Sequence, residues 1–146
     1  MARITEKDIR EFMLDKPEIN PLLRGVRWTS EDIASAIENA IDEANCIPPM
    51  LPELQYTEDN FPYKAILKQG VAGSLLRSAA INQASNQISY SADGIQVNDF
   101  DKADIFAKLG NDYWQGFQAR VADLKLQANA ACAFGTSVSE YHYIRH

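Results

Sequence analysis

Seven side chains near the end of the chain, Phe106, Leu109, Tyr113, Phe117, Val121, Leu124 and Ala128, recur at intervals of three and four residues. That spacing keeps one helical face apolar for about six turns, and Gly135 supplies a natural C′ stop. Asp99 or Asp101 is positioned to cap its start. A helix of this length needs a comparably long partner to cover its apolar face. The stretch "PYKAILKQGVAGSLLRSAAINQASNQ" offers one, with Pro62 in its first turn and Ile66, Gly70, Gly73, Leu76, Ala80 and Ala84 along one edge. Gly70 and Gly73 lower helix propensity but let a second backbone come close, so they predict a tight packing seam.

The rest of the chain fits around this pair. "ISYSADGIQVNDF" holds two short alternating stretches about Asp93-Gly94, which suits a tight hairpin turn over about residues 88–98. Upstream, Thr5 with Asp8 reads as a capping box for a short helix that ends before Pro17. "KPEINPLLRGVRW" reads as a turn that packs Leu22, Leu23 and Trp28. In "TSEDIASAIENAIDEA", Thr29 or Ser30 caps a helix whose Ile33, Ala36, Ile37, Ala40, Ile41 and Ala44 share a face. The prolines of "IPPMLPEL" stop it and form a rigid connector carrying Met50 and Leu51. The expected fold class is therefore mainly α: a helical bundle with two long antiparallel helices joined by a short β-hairpin, plus an extended C-terminal tail. The domain is expected over 1–135 and the tail over 136–146.

Charge and chemistry narrow the function. A formal net charge of -6 argues against wrapping DNA, which is driven by Lys and Arg displacing counterions, yet suits a surface past which DNA slides. Cys46 and Cys132 read as two thiols in a reducing compartment. No signal peptide or membrane-spanning run is evident, so a soluble cytoplasmic product is expected. Asp99, Asp101 and Asp104 lack the glycine and terminal Glu of a calcium loop and read as helix-start acidity. His142 and His146 lack further ligands. No nucleophile elbow, phosphate loop or zinc motif stands in the chain, so no catalytic residue, metal or cofactor is expected, and no enzyme. Lys64, Lys68 and Arg77 read as a solvated helix face. Trp114 lies about 100° round its helix from Tyr113 and points at a neighbour.

The tail holds the most informative chemistry. Tyr141, Tyr143 and Ile144 occupy a segment with no core of its own, and aromatic anchors are favoured at interface centres. Partner binding is accordingly expected at Ser137, Val138, Glu140, Tyr141, His142, Tyr143, Ile144, Arg145 and His146.

The stretches "LLRSAAINQASNQISYSADGIQVND" and "KLGNDYWQGFQARVADLKLQANA", then a glycine and "SVSEY", resemble the head-to-tail connector adaptors of tailed bacteriophages. These are small helical proteins that form a ring beneath the portal. The resemblance covers about residues 62–141. It implies a closed ring of about twelve copies with a heterologous interface, a C-terminal arm docked on the portal protein, and a platform for the next neck or tail component. It also implies location in the virion neck, genomic DNA passing through without specific binding, and no membrane. Subunit contacts would then involve Trp114, Tyr90, Ile95, Val97, Met50 and Leu51. The alternative from a different class is a small cytoplasmic interaction or regulatory module whose tail binds a partner protein.

Overall fold

The computed structural model describes residues 3–18, 20, 25–50, 54–85, 90–92, 95–97 and 102–134. Helix α1 (Glu6–Phe12) starts at a reciprocal box: Thr5 Oγ1 accepts from the Asp8 N–H at 3.3 Å, and Asp8 Oδ2 accepts from the Thr5 N–H at 2.9 Å. Helix α2 (Ser30–Cys46) repeats the device with Thr29 and Asp32, at 3.2 and 3.0 Å. Each box satisfies two amides left free at a helix start. Helix α3 (Lys64–Ser85) begins later than expected. The Tyr63 carbonyl accepts from both Ile66 and Leu67, so Pro62 precedes the first turn instead of lying in it. Helix α4 (Lys102–Phe134) has 33 residues and is about 50 Å long.

The expected fold class needs correction. The fold is mainly helical, and among the described residues four helices build it. Between α3 and α4, β1 (Tyr90–Ala92) and β2 (Ile95–Val97) form only an antiparallel ladder in which Tyr90 faces Val97, Ser91 faces Gln96 and Ala92 faces Ile95. No described contact joins this ladder to a helix. Three residue pairs without a supporting layer are marginal in water, so the hairpin is not an architectural element and the class is a helical bundle alone. The expected extended tail, residues 136–146, lies outside the described residues, as does the hairpin turn itself at 93–94.

Helix α3 is the centre of the bundle and touches the other three helices. Its Leu67, Val71, Ala72, Leu75, Leu76 and Ala80 are all buried, whereas Ile66 is half-buried and Ala84 exposed. The face of α2 is buried as its period requires, from Ile33 to Ala44. Helices α3 and α4 run antiparallel, because Gly70 lies against Phe117, Gly73 against Trp114, and Gly110 against Leu76 and Arg77. A Cβ at Gly73 would stand 2.9 Å from the Trp114 amide nitrogen and 3.2 Å from the Gly110 carbonyl oxygen. That is backbone against backbone. The seam also explains a departure on α4: Gly110 is buried, which turns the adjacent Leu109 aside and leaves it 43% exposed.

The N-terminal segment is held by a buried carboxylate. Asp15 accepts from the Arg27 N–H at 2.6 Å, the Trp28 N–H at 3.2 Å and the Arg10 guanidinium at 2.9 Å. Arg10 also donates to the Trp28 carbonyl at 3.0 Å and pairs with Glu6. Three donors make the burial of this carboxylate tolerable, and they fix Trp28 in the core beside Ile33 and Ile37. Lys64 pairs with Asp8 at 3.1 Å, which ties α1 to the start of α3.

Gly73→Ala is expected to destabilise the fold by about 2 kcal/mol through overpacking, although alanine is the better helix former, and a shifted urea midpoint measures it. A second expectation concerns acid. Hydrogen bonds from Thr5, then from Lys64, hold the Asp8 carboxyl down from 3.8 to about 2. With the folded value depressed, this contribution is present above the unfolded value and is lost as pH falls towards the folded one. A pH series of urea midpoints should therefore show a shallower acid limb in Asp8→Asn than in the wild type.

Candidate functional site

The residues expected to bind the portal or another partner, 137–138 and 140–146, lie outside the described residues. Leu51 does too. The backbones of Tyr90, Ile95 and Val97 fall in the short ladder, and Met50 is 67% exposed after α2. Trp114 has partners within its own chain. Its ring lies 5.6 Å from that of Phe117, with the Arg77 guanidinium 5.3 Å from its centroid, so it is half-buried at the α3–α4 seam. Phe12 and Tyr113 meet edge to face at 6.1 Å, and Phe12 remains 42% exposed.

Lys125, which periodicity alone did not single out, organises the end of the molecule from which the tail departs. It lies four residues after Val121 and eight after Phe117, on the same buried face, and is only 2% exposed. Its Nζ donates to the carbonyls of Ile47 at 2.6 Å and Asn45 at 3.2 Å. These belong to the C-terminal end of α2, which has no basic residue in its own last turn. A cation there complements the helix dipole and satisfies carbonyls that lack intrahelical donors. Tyr56 closes the site, its ring centroid 6.0 Å from Nζ, while the Asn45 side chain holds the Tyr56 N–H at 2.8 Å and carbonyl at 3.0 Å. Burial pulls the Lys125 ammonium below its ordinary value and pushes the Tyr56 hydroxyl up. Nearby, Gln118 donates to Glu43 at 2.5 Å and ties α4 to α2 a second time.

Beyond Lys125, α4 gains little cover from the described residues. The register of the seam brings the start of α3 level with the turn before Lys125. Residues 126–134 continue about 13 Å further, and none of their described side chains is buried. Leu126 is 57% exposed.

Two open cavities lie on the α2–α3 face. One, of about 430 Å³, is bounded by Arg27 and Trp28, by Asp32, Ser35 and Asn39 of α2, by Ser74, Ser78 and Asn82 of α3, and by Phe106 of α4. The other, of about 360 Å³, shares Asn39 and Ser74 with it and reaches Asp42, Glu43, Cys46, Arg77 and Trp114. Among the described residues, no three His, Cys, Asp or Glu side chains converge as metal ligands, and no helix is long and apolar enough to cross a membrane. Asp104 stands in the first turn of α4, while Asp99 and Asp101 lie outside the described residues, as do His142 and His146.

Lys125→Ala is expected to cost about 3 kcal/mol, since it empties a buried site and strips a charged donor from two carbonyls. Lys125→Met keeps the packing of the stem and should cost about half as much; urea denaturation of both variants checks the order.

No known protein family, no curated protein and no solved structure matches this chain.

Proposed function

We propose that this chain is a structural virion protein, a head-to-tail connector adaptor that assembles as a ring below the portal. The observation that carries the reading is the end of α4, which the described residues leave largely uncovered. Residues 126–134 extend past the bundle with none of their described side chains buried and lead directly into a tail that holds Tyr141, Tyr143 and Ile144 within its last six residues. A helix end that is rigid at its root and bare at its tip suits presentation of that tail to another protein, where aromatic side chains become buried anchors. Lys125 sets the direction of exit by binding α4 to the end of α2. The net charge of -6 is compatible with DNA passing the ring without adhering to it. No reaction belongs to this function.

Deletion of residues 136–146 should leave the helical content and urea midpoint nearly unchanged while abolishing co-purification with the portal protein. Tyr141→Ala or Tyr143→Ala should weaken attachment by about 2 kcal/mol. Normal attachment of the truncated chain would remove the tail from this role, and a particle neck imaged without this polypeptide would end the adaptor reading.

A further inference from the structure

We infer that, before any partner is bound, the C-terminal segment 135–146 folds back and lays Tyr141, Tyr143 and Ile144 on an apolar face at the end of its own bundle. This inference goes beyond the neck reading and is tested without a partner.

Four large apolar side chains lie close to the point where α4 leaves the bundle. Met50, Leu54, Tyr63 and Leu126 are 67, 40, 57 and 57% exposed. Their placement follows from contacts that converge on Lys125. Leu126 is its neighbour on α4. Met50 comes three residues after Ile47, whose carbonyl accepts from Lys125 Nζ at 2.6 Å, and Leu54 comes two residues before Tyr56, whose ring centroid is 6.0 Å from the same nitrogen. Tyr63 follows Phe61 by two residues, and the Phe61 ring lies 5.1 Å from that of Tyr56. Large apolar side chains gathered at one end of a small domain mark a surface that is covered in use.

Chain length selects what covers it. Phe134, the last residue of α4, comes eight positions after Leu126, a rise of about 12 Å. Gly135 follows, and glycine at C′ allows the chain to reverse. In extended form about four residues retrace that rise, and residues 136–144 span about 30 Å, so Tyr141, Tyr143 and Ile144 all reach the apolar face. Its extent decides between this segment and the same segment of a second copy. The four side chains together expose on the order of 400 Å², half of the roughly 800 Å² per partner that a stable bimolecular interface buries. A short tether supplies an effective concentration in the mM range, so a contact too small to hold a second molecule still forms within one. A contact of this size leaves docked and released arrangements about equally populated. The segment therefore adds little to the stability of the bundle, and a partner that takes it loses only about twofold in apparent affinity.

The test is methyl NMR on the full chain with no partner added. Nuclear Overhauser contacts are expected from the Met50 and Leu126 methyls to the rings of Tyr141 and Tyr143, with relative intensities unchanged over a roughly tenfold dilution. Tyr141→Ala combined with Tyr143→Ala should move those methyl signals while the buried Leu75 methyls keep theirs. Leu126→Gln, at a position already exposed, should weaken the contacts to Met50. Absence of the contacts, or methyl signals identical in the double variant, overturns the inference. Contacts that disappear on dilution would assign the face to a second copy and overturn it as well. None of these outcomes bears on portal attachment, which deletion of the tail tests separately.

Discussion

The close approach of α3 and α4 is the constraint on which the rest of the structure depends. At Gly73 and Gly110 one helix backbone lies against the other, and Phe117 covers Gly70 in place of a side chain there. Such contact admits only small residues at the crossing, and it fixes the rotation of α4 as well as its distance. Once that rotation is set, Phe117 and Val121 point inward and Leu109 does not. Lys125 must follow Val121 by a little over one turn onto the same side, where it meets the end of α2.

That placement turns a costly feature into a useful one. A buried ammonium loses its hydration, and the lowered proton affinity of Lys125 reflects this. The loss is offset because α2 ends in carbonyls that have no donors of their own and receive none from a basic side chain within the helix. A hydrocarbon residue at 125 would pack but leave those carbonyls unpaired. The contact also joins three segments distant in sequence: α2, the residues around Tyr56, and α4. The bundle therefore closes firmly at the point where α4 leaves it.

How much of this was legible in the sequence depended on how local the physics is. Both capping boxes follow from residues three apart, and the face of α2 follows from a single period, so Thr5, Thr29 and Ile33 to Ala44 stand as the pattern requires. Gly70 and Gly73 announced a seam because glycine in a helix interior has few other uses. What the pattern could not give was the rotation of α4, which depends on the partner helix: apolarity placed Leu109 inside, and geometry chose Gly110. The hairpin was over-read for a related reason. Asp93-Gly94 specifies a turn, but a ladder becomes part of a fold only when a further layer covers it, and no local motif encodes that layer. Lys125 was hidden by its charge even though its spacing from Val121 and Phe117 placed it on the buried face.

The start of α4 and its far end meet different parts of the bundle. Phe106, beside Arg27, lies near its beginning, whereas the bare segment starts just after Lys125; the intervening 19 positions correspond to about 28 Å of helix. Between the two ends α4 is held by α3, whose contact with it is backbone to backbone at the glycines and resists sliding, and by α2 through Gln118 and Lys125. The simplest consequence is that α4 moves with the rest of the bundle as one unit, because an equilibrium can be shifted only where two arrangements exist, and contacts this close disfavour a second one.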